Sequence, residues 1–351
     1  MGDSSIIISP AKTLILFGGG ASILDFALAS KRRGLKTYVF AVTRHLDEII
    51  NDDTSLTLKR ALQNNEVPFY HVSNINDSPE LKTIILDNKA CMGIGLGEAY
   101  TFTQETIDLF EGRLFDFMVI RLPQYRGGAH FTWQILRKNR IGCWNIQVIN
   151  TEMVPGVFDS GQILKTREYV IPQGARIPQD YFRVALAEAL KLFVEFMDEI
   201  DAGKEFKLAR LQENFSVYFP RLNTIKHAFI NWSWNTGDIE TFICAFDDPY
   251  AGASTFLNGE RVFIKDCQAD YTEGGFHPFM SGLIYRVHGN VVFVATKDCA
   301  LVFRKVCDEK GKDMISGLKV GQRFYTPVKY LEEAMLFNAE YDTEGPKQKE
   351  K

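Results

Sequence analysis

A chain of 351 residues exceeds one typical domain and predicts two, or at most three. Its 46% hydrophobic and 24% charged residues fit a globular protein and exclude a disordered chain, a collagen-like repeat and a coiled-coil rod. With 40 basic against 44 acidic side chains and a net charge of −4, it lacks the basic domain that a nucleic-acid ligand selects, so no nucleic-acid partner is expected.

The opening residues carry no cationic leader, and the apolar run Thr13–Phe17 is too short for a signal peptide. Met1-Gly2 begins like an acylation signal, yet Ile6 stands where that signal wants Ser or Thr. Nowhere do about 18 apolar residues run together, so no membrane span is expected and the reading is a soluble, cytoplasmic protein.

Thr13–Phe17 reads as a short buried strand, followed by Gly18-Gly-Gly20, a helix over Ile23–Arg33 that Gly34 ends, and a second strand over Lys36–Val42. This order is the grammar of a doubly wound fold. As a nucleotide fingerprint it is incomplete, because Ile23 occupies the third glycine position; a plain tight turn explains Gly18 and Gly20 as well. The alternation then continues. Ser55–Asn64, Leu81–Asn88, Thr103–Glu111 and His130–Arg137 read as helices, and Pro68–Val72, Ala90–Gly95, Leu114–Ile120 and Gly142–Asn150 as strands. The fold class is α/β, a doubly wound, mostly parallel sheet with its site at the strand C-terminal ends.

Pro178–Asp201 has the 3–4 apolar spacing of a long amphipathic helix, and the texture changes after Arg221. A short helix over Asp238–Phe246 precedes five short strands: Ser254–Leu257, Arg261–Asp266, Ser281–Arg286, Val291–Thr296 and Ala300–Lys305. Gly259, Gly289 and Asn290 supply the turns, which predicts a smaller β-barrel, the OB type being one candidate. The expected organisation is a Rossmann-type domain over 1–205, a linker over 206–230, the barrel over 231–335 and a flexible tail over 336–351. Spare strand edges in the barrel would allow a homodimer.

The six cysteines (Cys91, Cys143, Cys244, Cys267, Cys299, Cys307) form no Cys-x-x-Cys pair and read as scattered thiols of a reducing compartment. No metal site is expected from their spacing or from the six dispersed histidines. His45 and His71 sit near early strand ends, where ligand contact competes with simple surface placement, and His277 reads as structural or partner-facing. Trp232 and Trp234 read as packing anchors, Asp247-Asp248 as turn formers, and Lys31-Arg32-Arg33 as charge at a helix C-terminus.

Chemistry concentrates in two stretches. In Leu122-Pro-Gln-Tyr-Arg-Gly-Gly128, the Pro fixes a turn, Gly127 and Gly128 permit close backbone approach, and Arg126 offers a rigid donor fork. In Phe158-Asp-Ser-Gly-Gln-Ile-Leu164, Asp159 sits on a glycine-containing turn. With Ile230-Asn-Trp232 and the run Ala245-Phe-Asp-Asp-Pro-Tyr-Ala-Gly-Ala253, these blocks resemble the folate-dependent formyltransferases, which include methionyl-tRNA formyltransferase and the sugar N-formyltransferases. The first block looks like that family's Leu-Pro-x-Tyr-Arg-Gly loop, the second like its Asp-x-Gly-x-Ile motif, and the third like the start of its C-terminal barrel.

The resemblance implies a reaction and a set of residues. An amine attacks the formyl carbon of 10-formyltetrahydrofolate, while an Asn and a His stabilise the carbonyl oxygen and a His–Asp pair handles the proton. Counted back from Pro123, Asp116 holds the Asn position and Met118 the His position, whereas Asp159 matches the Asp. A positioned acid–base group contributes about 10²–10⁴-fold, so the substitutions lower the expected rate unless another residue steps in. An ionised Asp116 would repel the oxygen; a protonated one would donate to it. His130, at the far end of the loop, is the candidate substitute base, or else a loop residue bonded to backbone or solvent. The resemblance also places the folate donor against Leu96, Gly97, Glu98, Ala99 and Tyr100, and the substrate against Arg126, Gly127 and Gly128. Tyr100 and Phe102 read equally well as core aromatics. Two functions remain open: formyl transfer to an amino sugar, free or nucleotide-linked, in surface-glycan synthesis, or a degenerate homologue binding a sugar or partner, with altered one-carbon chemistry as a variant of the first.

Overall fold

Every residue of β1 (Thr13–Gly18) and of β4 (Cys91–Leu96) is buried, as the continuous apolar runs require of central parallel strands. The computed structural model describes residues 4–51, 54–98, 101–150, 161–342 and 345–346. Between these two strands lie α1 (Ala21–Arg32), β2 (Lys36–Ala41), α2 (Leu58–Asn64), β3 (Phe69–His71) and α3 (Pro79–Asp87). After them come α4 (Gln104–Leu109), β5 (Leu114–Met118), α5 (His130–Leu136), β6 (Ile141–Val148), β7 (Ile163–Val170) and α6 (Pro178–Asp201). The seven strands form one sheet in the order β7-β6-β5-β4-β1-β2-β3. Order reverses between β1 and β4, and that switch point is where such sheets open a crevice.

Helix ends follow the sequence signals. Thr103 caps α4 by accepting the Thr106 amide, Ser78 caps α3 by accepting that of Leu81, and Gly34 follows α1 at φ 78°. Two expectations are corrected. The Gly142–Asn150 run does not extend the parallel set, because β6 pairs antiparallel with both β5 and β7. The expected Ser55–Asn64 helix begins at Leu58, since Leu56 and Thr57 pair with the Ile49–Asn51 strand.

Alternation along the strands creates two unlike faces. Phe115 and Phe117 point to the face covered by α1 and α6, where Phe26 stacks on Phe193 at 4.2 Å between ring centres and meets Phe117 edge-on at 5.3 Å. On the opposite face, Ile15, Phe17, Phe40 and Leu114 pack under α3 and α4.

The C-terminal part carries α7 (Thr236–Ala245), β8 (Ala253–Leu257), β9 (Glu260–Asp270), β10 (Ile284–His288), β11 (Val291–Ala295), β12 (Ala300–Cys307), β13 (Phe324–Tyr325) and α8 (Val328–Leu336). Its antiparallel sheet runs β10-β11-β12-β9-β8-β13 and curls until Leu283, beside one edge strand, bridges Arg323, beside the other. The barrel expectation is thus met by a curled half-barrel, and this order does not establish an OB fold. Helix α8, which was not read from the sequence, ends at Leu336, where the flexible tail was drawn to begin. Trp232 anchors the sheet, stacked on Phe324 at 5.9 Å with its indole N–H donating to Thr255 at 2.9 Å.

The linker is ordered and reaches back. Residues 205–207 pair with Ser5–Ile7, and Tyr218–Phe219 pairs in parallel with Arg126–Gly127. All six cysteines are buried and unbridged. No described helix is long and apolar enough to cross a membrane.

Candidate active site

Towards the C-terminal ends of β4 and β5, the α3/α4 face of the sheet turns polar. In register across β4, β5 and β6 stand Gly95, Asp116 and Gln147; the next rung sets Met118 beside Asn145, and Thr166 of β7 beyond it. Directly opposed residues on paired strands share a face, with Cα atoms about 4.5–5.5 Å apart. Asp116 and Met118 therefore share a face with Asn145 and Gln147. Asn145 is held, donating to the Ile120 carbonyl at 2.5 Å and accepting from Thr166 Oγ1 at 2.8 Å. Met118 is buried.

Glu98 folds back over this row. A Cβ on Gly95 would overlap the Glu98 carboxylate, so the missing side chain is what lets that acid lie against the sheet. Gly18 stands against the Leu96 carbonyl at φ 120°, and the Gly19 amide donates to the same oxygen at 3.3 Å. The two loops at the switch point are thereby stitched together. At the α1 N-terminus the Glu48 carboxylate accepts the Gly20 amide. Burial pushes Glu48 up, and that amide pulls it back.

Gln147 was missed by the sequence reading. Its residue is 0% exposed, and among the described residues neither its amide nitrogen nor its carbonyl oxygen finds a hydrogen-bond partner. A Cβ on Gly161, two positions past Asp159 in the chain, would overlap that amide. The available signal was a pair of amides, Asn145 and Gln147, at alternate positions of an otherwise apolar strand.

The other expected residues divide. Asp159, Ala99 and Tyr100 lie outside the described residues. Leu96, Gly97 and Glu98 form the loop at the switch point, with Gly97 at φ 62°. Arg126 is buried and donates to Glu213 at 2.7 Å. Gly127, at φ 111°, lies against the Phe219 carbonyl, and Gly128 against the Arg221 side chain. These glycines meet the returning linker.

His130 opens α5 after Ala129, which is left-handed at φ 54°. Its ring meets Tyr125 edge-on at 5.5 Å and Phe131 at 5.5 Å. The expectation of backbone or solvent bonding is corrected: both ring nitrogens are shut off from solvent and have no partner among the described residues. Burial holds the imidazole down at about 3, hence neutral. Surface placement fails for His45 too; its ring packs on Gly19, and burial, then Arg44, lower it to about 4. His71 bonds Thr43 Oγ1 at 2.8 Å. Asp247 accepts the amides of Asp248 and Asp266, a turn-forming role. Among the described residues, no three His, Cys, Asp or Glu side chains gather as a metal site would require.

Comparison with known proteins agrees with this architecture. Residues 224–319 match the family model described as the formyl transferase C-terminal domain. The methionyl-tRNA formyltransferase of Clostridium botulinum is 22% identical over 295 residues, covering 83% of this chain and 91% of that one. The C-terminal part of the chain is similar to a formyltransferase domain, and the chain along most of its length to a methionyl-tRNA formyltransferase. The fold is also that of solved structures. The N-formyltransferase of Helicobacter canadensis, in complex with folinic acid and dTDP-3-aminofucose, superposes with a TM-score of 0.60 at 16% identity, over 84% of this chain and 98% of that one. HypX of Aquifex aeolicus, in complex with tetrahydrofolic acid, gives 0.57 at 15% identity, over 87% of this chain and 45% of that one. Together these likenesses support a formyl-transferring enzyme.

Proposed function

We propose that the protein transfers a formyl group from 10-formyltetrahydrofolate to the amine of an amino sugar, carried on a nucleotide, in the synthesis of surface glycans. The observation that carries this reading is the polar row Gly95–Asp116–Gln147 at the switch-point end of a formyltransferase-type sheet, beside the Leu96–Glu98 loop. A carbonyl donor fits such a row, which ends in carboxyl and amide groups rather than hydrocarbon. Leu96, Gly97 and Glu98, continued by Ala99 and Tyr100, would hold the donor. The folinic acid and dTDP-aminosugar bound by the Helicobacter protein support the choice of donor and acceptor. A net charge of −4 speaks against a tRNA acceptor, whose phosphates reward positive potential.

In the reaction the amine nitrogen bonds to the formyl carbon, and the bond from that carbon to the donor nitrogen breaks. The amine gives up a proton and the donor nitrogen gains one, leaving a formamide and tetrahydrofolate. Asp159 is assigned the proton, with Asp116 at the carbonyl side. The test is purified protein with 10-formyltetrahydrofolate and a panel of nucleotide-linked amino sugars, read by mass for the gain of one carbon and one oxygen. Folinic acid binding is measured in parallel by calorimetry.

One observation favours a second reading. Met118 stands at the position of the expected histidine and is buried, which suits a homologue that binds a sugar or partner without turnover. Failure of both the mass gain and folate binding would put that reading first.

A further inference from the structure

A buried amide without partners is costly. A polar group shut away from water gives up its hydrogen bonds to solvent and, unpartnered, gets nothing in exchange. Gln147 carries two such atoms at 0% exposure, and a leucine of similar length would pack there without that cost. Its place is also specific: opposite Asp116 across β5 and β6, on the face away from Phe115 and Phe117, beside Gly161.

We infer that Gln147 supplies the amide that binds the formyl oxygen, the task that the resemblance assigns to the residue replaced by Asp116. This rests on the formyl-transfer reading. As the amine nitrogen bonds to the formyl carbon, negative charge gathers on the oxygen, and the Gln147 N–H groups donate to it. The charge returns to re-form the carbonyl as the bond to the donor nitrogen breaks, with the proton passing from amine to donor nitrogen. Gln147 gains and loses no atom. The oxygen satisfies the amide only while donor is bound, so the cost of leaving it unpartnered falls on the free protein. This is a stabilisation aimed at charge that develops during reaction.

The experiment compares wild type, Gln147→Leu and Gln147→Glu by turnover, by folinic acid affinity and by thermal midpoint. Gln147→Leu should lower kcat about 10²–10³-fold, the effect of losing one such donor. Its sugar KM should stay within about threefold, because an interaction made mainly with developing charge leaves ground-state binding nearly unchanged. Its thermal midpoint should hold or rise by about 2 °C, since an unpartnered amide has been removed. Gln147→Glu offers an acceptor where a donor is needed and should lose kcat at least as far. Full turnover by Gln147→Leu overturns the inference alone. A midpoint that drops by several degrees along with kcat also overturns it, by making the amide structural. A wild type that neither binds folinic acid nor formylates any sugar overturns the formyl-transfer reading, and this assignment falls with it.

Discussion

At about 3, the buried imidazole of His130 is neutral throughout the range in which the protein would work, and so is His45 at about 4. Their ordinary value is near 6.5, so below that pH the unfolded chain takes up protons that the folded chain refuses. Stability is complete above about pH 6.5 and falls as acid is added towards pH 4, by up to about 1.4 kcal/mol per pH unit for each histidine. Thermal midpoints at about pH 7.5 and about pH 5 should show this loss, and His130→Leu should flatten part of it. The same neutrality makes His130 a weak base. Restoring the replaced residues by Asp116→Asn together with Met118→His is therefore expected to raise kcat by about tenfold or more, measured as formylated product per minute. Why these sites were only partly legible is physical. Met118 and Asp116 were readable by spacing from Pro123, but isolation of an amide or imidazole is a property of neighbours on other strands, which no local pattern encodes.

Elements carry a different kind of information. The first sheet strands could be placed from apolar runs and glycines, and Pro178–Asp201 from its 3–4 spacing, because those patterns report burial within one segment. The direction of β6 could not, since a buried strand reads alike in either direction. Glycines in Leu122–Gly128 were read as making room for a ligand, yet the room at Gly127 is filled by the Phe219 carbonyl of the returning linker. Gly127→Ala would place a Cβ against that oxygen at a backbone angle of 111° that side chains avoid. The expected outcome is a loss on the order of 3 kcal/mol, seen as a thermal midpoint lower by roughly 6–12 °C.

Across the whole molecule, one hydrophobic core runs through both halves, and Arg176 adds polar ties between them. It precedes α6, bonds Glu240 of α7 and donates to the Cys267 carbonyl of β9 at 2.8 Å. Nearby, the Gln179 amide donates to the Asp248 carbonyl at 2.9 Å, and Lys138 pairs with Asp238 at 3.1 Å. Arg176→Ala removes two of these ties and leaves Glu240 without its cation. A calorimetric scan should then show the single unfolding event broaden or divide in two, as the halves lose their coupling.

The buried thiols have a practical consequence. Burial pushes Cys143 and Cys244 up to about 12 and Cys267 well above its ordinary value, so these sulfurs meet an alkylating reagent as inert thiols inside a closed wall. Reagent added to the native protein should leave these three unmarked, and labels should accumulate only as the surrounding half opens. Cys143 would time the opening of the first sheet, and Cys244 and Cys267 that of the second, so mass spectrometry of tagged peptides would give each half its own clock.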